Sequence, residues 1–287
     1  MRMKVTKGLV LLASAAVTTA LLSPVLLRAQ TAAPAPAPTS AKTWIGHAAE
    51  IEEYLKTVEI VSTTTTSVGV THPSKATLPP GGPCRYLSFK PIAPGPYNGA
   101  MESYKSEIAA YELDKLLQLN MVPPTVEKTY KKQKGAAVMW LDGVKTFVDF
   151  PSAKNGGAPT APPDKAEFWN HQITRAKMFD NLIGNQDPNL GNWLVDANWN
   201  LAIIDHTRAL FGDTTMPHVL NHVDADLWDK MKALTIESIT PALSPWMSKG
   251  DIKSIIQRRD ILQKKIDELV KKNGAANVFF KDSGGGL

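Results

Sequence analysis

Residues 151–163, PSAKNGGAPTAPP, divide the chain more sharply than any other stretch. Prolines and a glycine pair suit an exposed loop and no element interior. Before it the pattern is mostly that of strands. After it the pattern is that of helices. A chain built this way must place a sheet-rich half beside a helical half, so the outline is α+β with two lobes.

In the first half, Trp44 to Leu55 reads as a short helix with Thr43 as its N-cap. Val58 to Leu78 is rich in Val, Ile and Thr and reads as β structure, with turns at Gly69, at His72-Pro73 and at 81–83. Residues 84–92, CRYLSFKPI, alternate, placing Tyr86, Ser88 and Lys90 on one face and Leu87 and Phe89 on the other. Residues 101–120 carry strong helix formers at helical spacing. Thr125 to Tyr130 and Ala136 to Leu141 are strands around the turn KKQKG, and Asp142-Gly143 turns after the second.

In the second half, 165–183 reads as an amphipathic helix with Asp164 as N-cap. Further helices are expected at 219–234, 236–247 and 251–272, the last closed by Asn273-Gly274. The boundaries that follow are 43–150 for the β-rich lobe with one helix, 164–275 for the helical lobe, and a tail at 276–287.

The N-terminus reads as an address. Arg2, Lys4 and Lys7 precede the apolar run Gly8 to Leu22, and Pro24 and Ala29 follow, the layout of a secretory signal peptide cleaved near Ala29. An uncleaved anchor is the alternative, since the apolar stretch extends toward Leu27. Residues 30–42 form an Ala/Pro linker. The formal charge of +5 drops to +1 once the four basic residues of 1–29 are removed. That balance argues against nucleic acid as a partner, and a cleaved leader leaves no membrane span. Cys84 is the single cysteine, so no internal disulfide forms and a structural zinc cluster is not expected. His218 and His222 read as a surface pair at a helix start.

The stretch 184–210, GNQDPNLGNWLVDANWNLAIIDHTRAL, carries the candidate chemistry. Asp187 and Asn192 are five apart on a loop after a helix. Asp205 lies thirteen further, at the end of the apolar strand Leu201–Ile204. WLVDANWNLAII between them fits two short strands, and Asp196 falls in their turn as a solvated turn residue. Upstream, Lys90 ends a strand and Glu107 sits on the next helix. Individually each has a plain reading: a surface lysine, a solvent-face glutamate like Glu102 or Glu112, turn-forming Asp and Asn. Asp205 is harder to set aside, because a carboxylate at the end of a buried strand calls for partners.

Together these five positions resemble the protein-kinase-like superfamily. They look closest to its atypical members: phosphoinositide kinases, HipA-type kinases and secretory-pathway kinases. Residues 106–126, SEIAAYELDKLLQLNMVPPTV, are also similar to the helix-to-strand passage of that group. The resemblance implies a two-lobed fold with ATP and Mg²⁺ or Mn²⁺ in the cleft, and transfer to a hydroxyl acceptor. It implies Asp187 as the catalytic carboxylate and Asn192 and Asp205 as metal ligands. Lys90 would lie on the phosphates, with Glu107 fixing it. Gly69 would belong to a phosphate-covering turn at 69–75, and Trp140 would stand near the adenine-contacting hinge. The sequence departs from the ordinary pattern in having Asn-Gln before Asp187, Pro188 after it, His206-Thr207 after Asp205, and no G-x-G-x-x-G. Those departures bear on activity rather than fold. The alternative functions are a weak or inactive pseudokinase-like scaffold, and transfer of AMP in place of phosphate.

Overall fold

The alternation expected at 84–92 builds the middle strand of an antiparallel sheet. The computed structural model describes residues 40–65, 74–97, 99–155 and 157–280, which belong to a single compact unit. Helix α1 (Ala48–Thr57) comes first, then strands β1 (Ser62–Thr65), β2 (Ser74–Thr77) and β3 (Tyr86–Lys90). A small hairpin, β4 (Gly95–Tyr97) and β5 (Ala100–Glu102), leads into α2 (Tyr104–Leu117). Strands β6 (Thr125–Tyr130) and β7 (Gln133–Met139) follow, and the sheet order is β1-β2-β3-β7-β6. Lys131 and Lys132, both at positive φ, close the β6–β7 turn.

Cross-strand partners share a face. Leu87 pairs with Ala76 and Met139, and Phe89 with Ala137. These side chains pack with Trp44, Ile51 and Leu55 of the α1 region. Lys90 pairs with Ala136 on the opposite face, where Ala136 and Val138 pack against Tyr104 and Ile108 of α2. The period-two pattern therefore delivers Lys90 beneath α2.

Two first-half ends differ from expectation. Thr43 does not cap the first helix: residues 43–47 form turns that bury Trp44, and His47 precedes Ala48 with no side-chain cap. The helix expected at 101–120 starts at Tyr104, because Met101 and Glu102 pair in β5 and Ser103 accepts from Lys105 N–H at 3.0 Å as the cap. At its other end the Asp114 carboxylate collects the N–H groups of Asn120, Met121 and Val122. That fastens α2 to the entry of β6.

Beyond the Pro/Gly loop lies α3 (Ala166–Ile183). Asp164 is not its cap; it sits in a 3₁₀ turn over Pro163–Lys165, and Lys165 precedes the helix with no side-chain bond. Gly184 ends α3 at φ +59, and a Cβ there would meet Arg258 at 3.1 Å. Strand β8 (Lys145–Thr146) then pairs with β9 (Trp193–Val195), which pairs with β10 (Leu201–Ile203). Asp196 in the β9–β10 turn is not solvated. It is 6% exposed and accepts from the N–H groups of Ala41, Asn198 and Asn200, so it fixes both its own turn and the arriving N-terminal segment.

The helix expected from 219 begins only at Ala225. Residues 211–222 have no helix and run to the two-residue strand β11 (Val223–Asp224), before α4 (Ala225–Lys232). Asn181 holds that segment by its side chain, accepting from His218 N–H and donating to His218 C=O, both at 2.9 Å. His218 is not a surface residue at a helix start, since its Nε2 is 2.9 Å from the buried Asp180 carboxylate. Helices α5 (Ile236–Leu243) and α6 (Lys249–Asn273) complete the lobe, with Ser248 and Asp251 forming a capping box on α6. Gly274 ends α6 at φ +80 as expected. Among the described residues no helix is long and apolar enough to cross a membrane.

Candidate active site

Lys90 closes β3 and Glu107 stands one turn into α2, and both side chains are removed from water, at 5% and 0% exposure. The Lys90 ammonium lies 3.1 Å from Glu107 Oε2 and 3.0 Å from Asp205 Oδ1. Glu107 also accepts from the backbone, Oε1 from Asp205 N–H at 3.1 Å and Oε2 from His206 N–H at 2.9 Å. One glutamate thus fixes both the lysine and the chain turn bearing Asp205. That turn is sharp: Asp205 has φ +65 in the left-handed region, a conformation that persists in a non-glycine residue only when its surroundings enforce it. Burial works against the Lys90 charge, but Asp205 and Glu107 outweigh it and push the ammonium up to about 12. Burial likewise works against the Asp205 carboxylate, and Lys90 overrides it, holding the group below the usual range.

His206 is fully buried beneath this cluster, its ring edge-on to Phe179. Burial lowers its proton affinity against the pull of Glu107 and Asp180. Neither ring nitrogen has a hydrogen-bond partner among the described residues.

Asp187 and Asn192 come from a loop shaped by its own amides. Asn185 donates to Asp180 Oδ1 and accepts from Asp187 N–H, both at 3.0 Å. Asn189 donates to Asp187 Oδ1 at 2.9 Å and accepts from Gly191 N–H at 2.8 Å. Asn192 donates its amide to the Asp187 carbonyl at 3.2 Å. The β9–β10 pairing then brings this loop to Asp205, since Ile204 N–H donates to Asn192 C=O at 3.0 Å.

The donor set suits a divalent ion that arrives with phosphates. Lys90 and Thr207 take Asp205 Oδ1, while Oδ2 and the Asn192 amide oxygen accept no hydrogen bond among the described residues. No group of three or more His, Cys, Asp or Glu among those residues could hold a metal unaided. One carboxylate and one amide oxygen are what Mg²⁺ takes when phosphate and water supply the rest.

Trp140 is half-buried at the end of β7, its N–H on Tyr86 C=O at 3.2 Å. Lys75 places its ammonium 4.0 Å from the Tyr86 ring centre and 4.2 Å from that of Trp140. Gly69 lies outside the described residues. Lys75 enters the sequence expectation only as the end of the 69–75 turn and Arg208 not at all, and Glu102, expected to face solvent, is instead 1% exposed. Arg208 Nε and Nη2 donate to Glu102 Oε1 at 2.8 and 2.6 Å, and Nη1 lies 3.7 Å from Asp187 Oδ2. The available signal was the placement of an acid just before the Ser103 cap and a guanidinium three residues after Asp205. Glu112, by contrast, is partly exposed and pairs with Lys115 one helical turn on.

No protein-family model matches the chain, and no curated protein does. Solved structures do. A hydra Fam20 structure with sugar is 18% identical with a TM-score of 0.59, covering 82% of this chain and 92% of its own. The Golgi casein kinase with Mn/ADP bound is 15% identical with a TM-score of 0.56, covering 83% and 80%. The Helicobacter pylori proinflammatory kinase CtkA is 14% identical with a TM-score of 0.50, covering 77% and 97%. At such identities the likeness establishes the fold: two lobes, the smaller built on the five-stranded sheet and the larger mainly helical. The chain has a two-lobed, protein-kinase-like fold.

Proposed function

We propose that the protein is an exported phosphotransferase that uses ATP and Mg²⁺ or Mn²⁺ to phosphorylate a hydroxyl acceptor. The observation that carries this reading is the Lys90–Glu107–Asp205 cluster, a buried cation held between two carboxylates from different elements. A neighbour of the same fold was solved with Mn/ADP bound. The leader at 1–29, followed by a linker at 30–42, supports export. In this reading 43–150 and 164–275 are the two lobes around the nucleotide.

Lys90, kept charged by its two carboxylates, grips the non-transferred phosphates. Glu107 fixes Lys90 and the Asp205 turn together. Asp205 and Asn192 would hold the metal, which would neutralise charge on the phosphates. Asp187 orients the acceptor hydroxyl. The catalytic load is positioning and electrostatics, since phosphoryl transfer leaves little covalent work to side chains.

The departures around the candidate carboxylate, Asn185-Gln186 before Asp187 and Pro188 after it, favour a second reading, nucleotide binding without efficient transfer. Thermal unfolding of the mature chain with Mg-ATP and Mn-ATP tests the shared claim. Stabilisation of about 2.7 kcal/mol is expected at about 100 times Kd, lost in Asp205→Ala. A wild type unmoved at millimolar nucleotide ends both readings. Product mass separates phosphate transfer, AMP transfer and no transfer.

A further inference from the structure

The chain after β10 is fastened to the start of α2 at successive residues. Glu107 takes the N–H groups of Asp205 and His206, and Thr207 C=O accepts from Ser103 N–H at 2.9 Å. Arg208 is the last of these ties and differs from the others in also reaching the Asp187 loop. It does so twice. Its carbonyl accepts from Gln186 N–H at 3.3 Å, and its guanidinium faces the Asp187 carboxylate at 3.7 Å. Its anchor, Glu102, is 1% exposed, with Oε1 spent on two Arg208 donors and Oε2 lacking any partner among the described residues.

Burying a carboxylate is costly unless its partner is well aimed. A planar fork that sends two N–H groups to one oxygen is immobilised in a way that an exposed arginine is not. The third nitrogen is thereby directed at Asp187, whose other oxygen is held by Asn189. The two contacts together restrict the rotation of that carboxylate.

We propose that Arg208 is a positioning residue for group transfer, clamped by Glu102 and acting through Asp187. The inference rests on the phosphotransferase reading above and adds the residue that sets the aim of its candidate catalytic carboxylate. Arg208 forms no hydrogen bond or ion pair with Lys90, Asn192 or Asp205 among the described residues and reaches Asp205 only through its charge, so its removal is expected to lower turnover far more than nucleotide affinity.

The test uses the mature chain with Arg208→Lys, Arg208→Gln, Glu102→Gln and the Arg208→Gln/Glu102→Gln pair. Mg-ATP turnover is measured alongside backbone hydrogen exchange without nucleotide. In Arg208→Lys and Arg208→Gln, kcat is expected to fall about tenfold to a hundredfold, with KM for Mg-ATP within about twofold. Glu102→Gln is expected to lower kcat less, and the pair to be no worse than Arg208→Gln alone, since the two act as one unit. Faster exchange at the 185–192 amides accompanies the loss. A change confined to KM, an additive double variant, or unaltered exchange at 185–192 in Arg208→Lys overturns the proposal. If the wild type neither binds nor consumes ATP, the phosphotransferase reading falls, and the exchange comparison still decides whether Arg208 orders the Asp187 loop.

Discussion

The two halves of the candidate site are held by different physics. Lys90, Glu107 and Asp205 come from three elements and meet in a cluster whose lysine and glutamate are buried and whose aspartate is 28% exposed, and there Glu107 alone serves a lysine and two backbone N–H groups. Asp187 and Asn192 sit on one loop, shaped by bonds that mostly span two to five residues, with Asp187 about a third exposed. The first arrangement exists only if both lobes are folded and docked. The second is nearly local. Nucleotide binding should therefore be tied to global stability, and the chemistry should be separable from it.

The hardest blow to that contrast is Glu107→Ala. It leaves a buried ammonium short of one carboxylate and two N–H groups, one buried and one partly buried, without acceptors. Truncating one partner of a buried ion pair costs about 3–5 kcal/mol, so urea unfolding should show a loss of that size and Mg-ATP should no longer stabilise the protein. Glu107→Gln keeps the shape and part of the acceptor capacity, and should cost less. A Glu107→Ala protein as stable as the wild type would mean that the cluster contributes nothing to holding the lobes.

Alkaline titration reaches the same cluster more gently. Lys90 is raised from its ordinary 10.5 to about 12 by Asp205 and Glu107 acting against burial. The folded state thus binds the proton more tightly than the unfolded chain does. The resulting stability is complete below about 10.5 and is lost as pH rises through about 12, roughly 2 kcal/mol in all. Melting curves across that window should fall more steeply for wild type than for Lys90→Met. Equal slopes would remove Lys90 as the source.

How much of this was readable from sequence follows the same division. Asp187, Asn192 and Asp205 lie within one short stretch, and hairpin periodicity alone predicts that Asn192 and Asp205 end up as neighbours. Strand alternation placed Lys90 on the face opposite Leu87 and Phe89, where α2 lies. Asp196, Glu102 and Arg208 were opaque because their partners are distant: Ala41 for the first, and each other for the second pair. Acids in turns usually face water, and nothing local marks the exceptions. The 219–224 segment misled for a related reason. Its pattern joins smoothly to that of α4, but Asn181 pairs with the His218 peptide and holds the chain out of a helix.

On the loop side the effects shrink. Asn189→Ala removes the acceptor of Gly191 N–H and the donor to Asp187 Oδ1. Comparable losses at helix caps cost about 1 kcal/mol, and the 187–192 amides should exchange faster while the Lys90 cluster stays protected. Protection lost equally around Lys90 would show that the loop and the cluster are one cooperative unit.

Asp187→Asn should move stability least of all. The amide oxygen still accepts from Asn189, and what disappears is a partly exposed contact with Arg208 at 3.7 Å, in a class worth about 0–1 kcal/mol. Because Asp187 makes no contact with Lys90 or Glu107, the Mg-ATP shift should persist. Turnover should nevertheless drop by at least about a hundredfold, the lower range for losing a group that handles the proton of a reacting hydroxyl. A variant that binds nucleotide normally and turns over normally would leave the cluster as a binding site and transfer the orienting role to another residue. One that loses both together would show that the two halves cannot be separated, and the contrast between a global cluster and a local loop would fail at the point where it matters for catalysis.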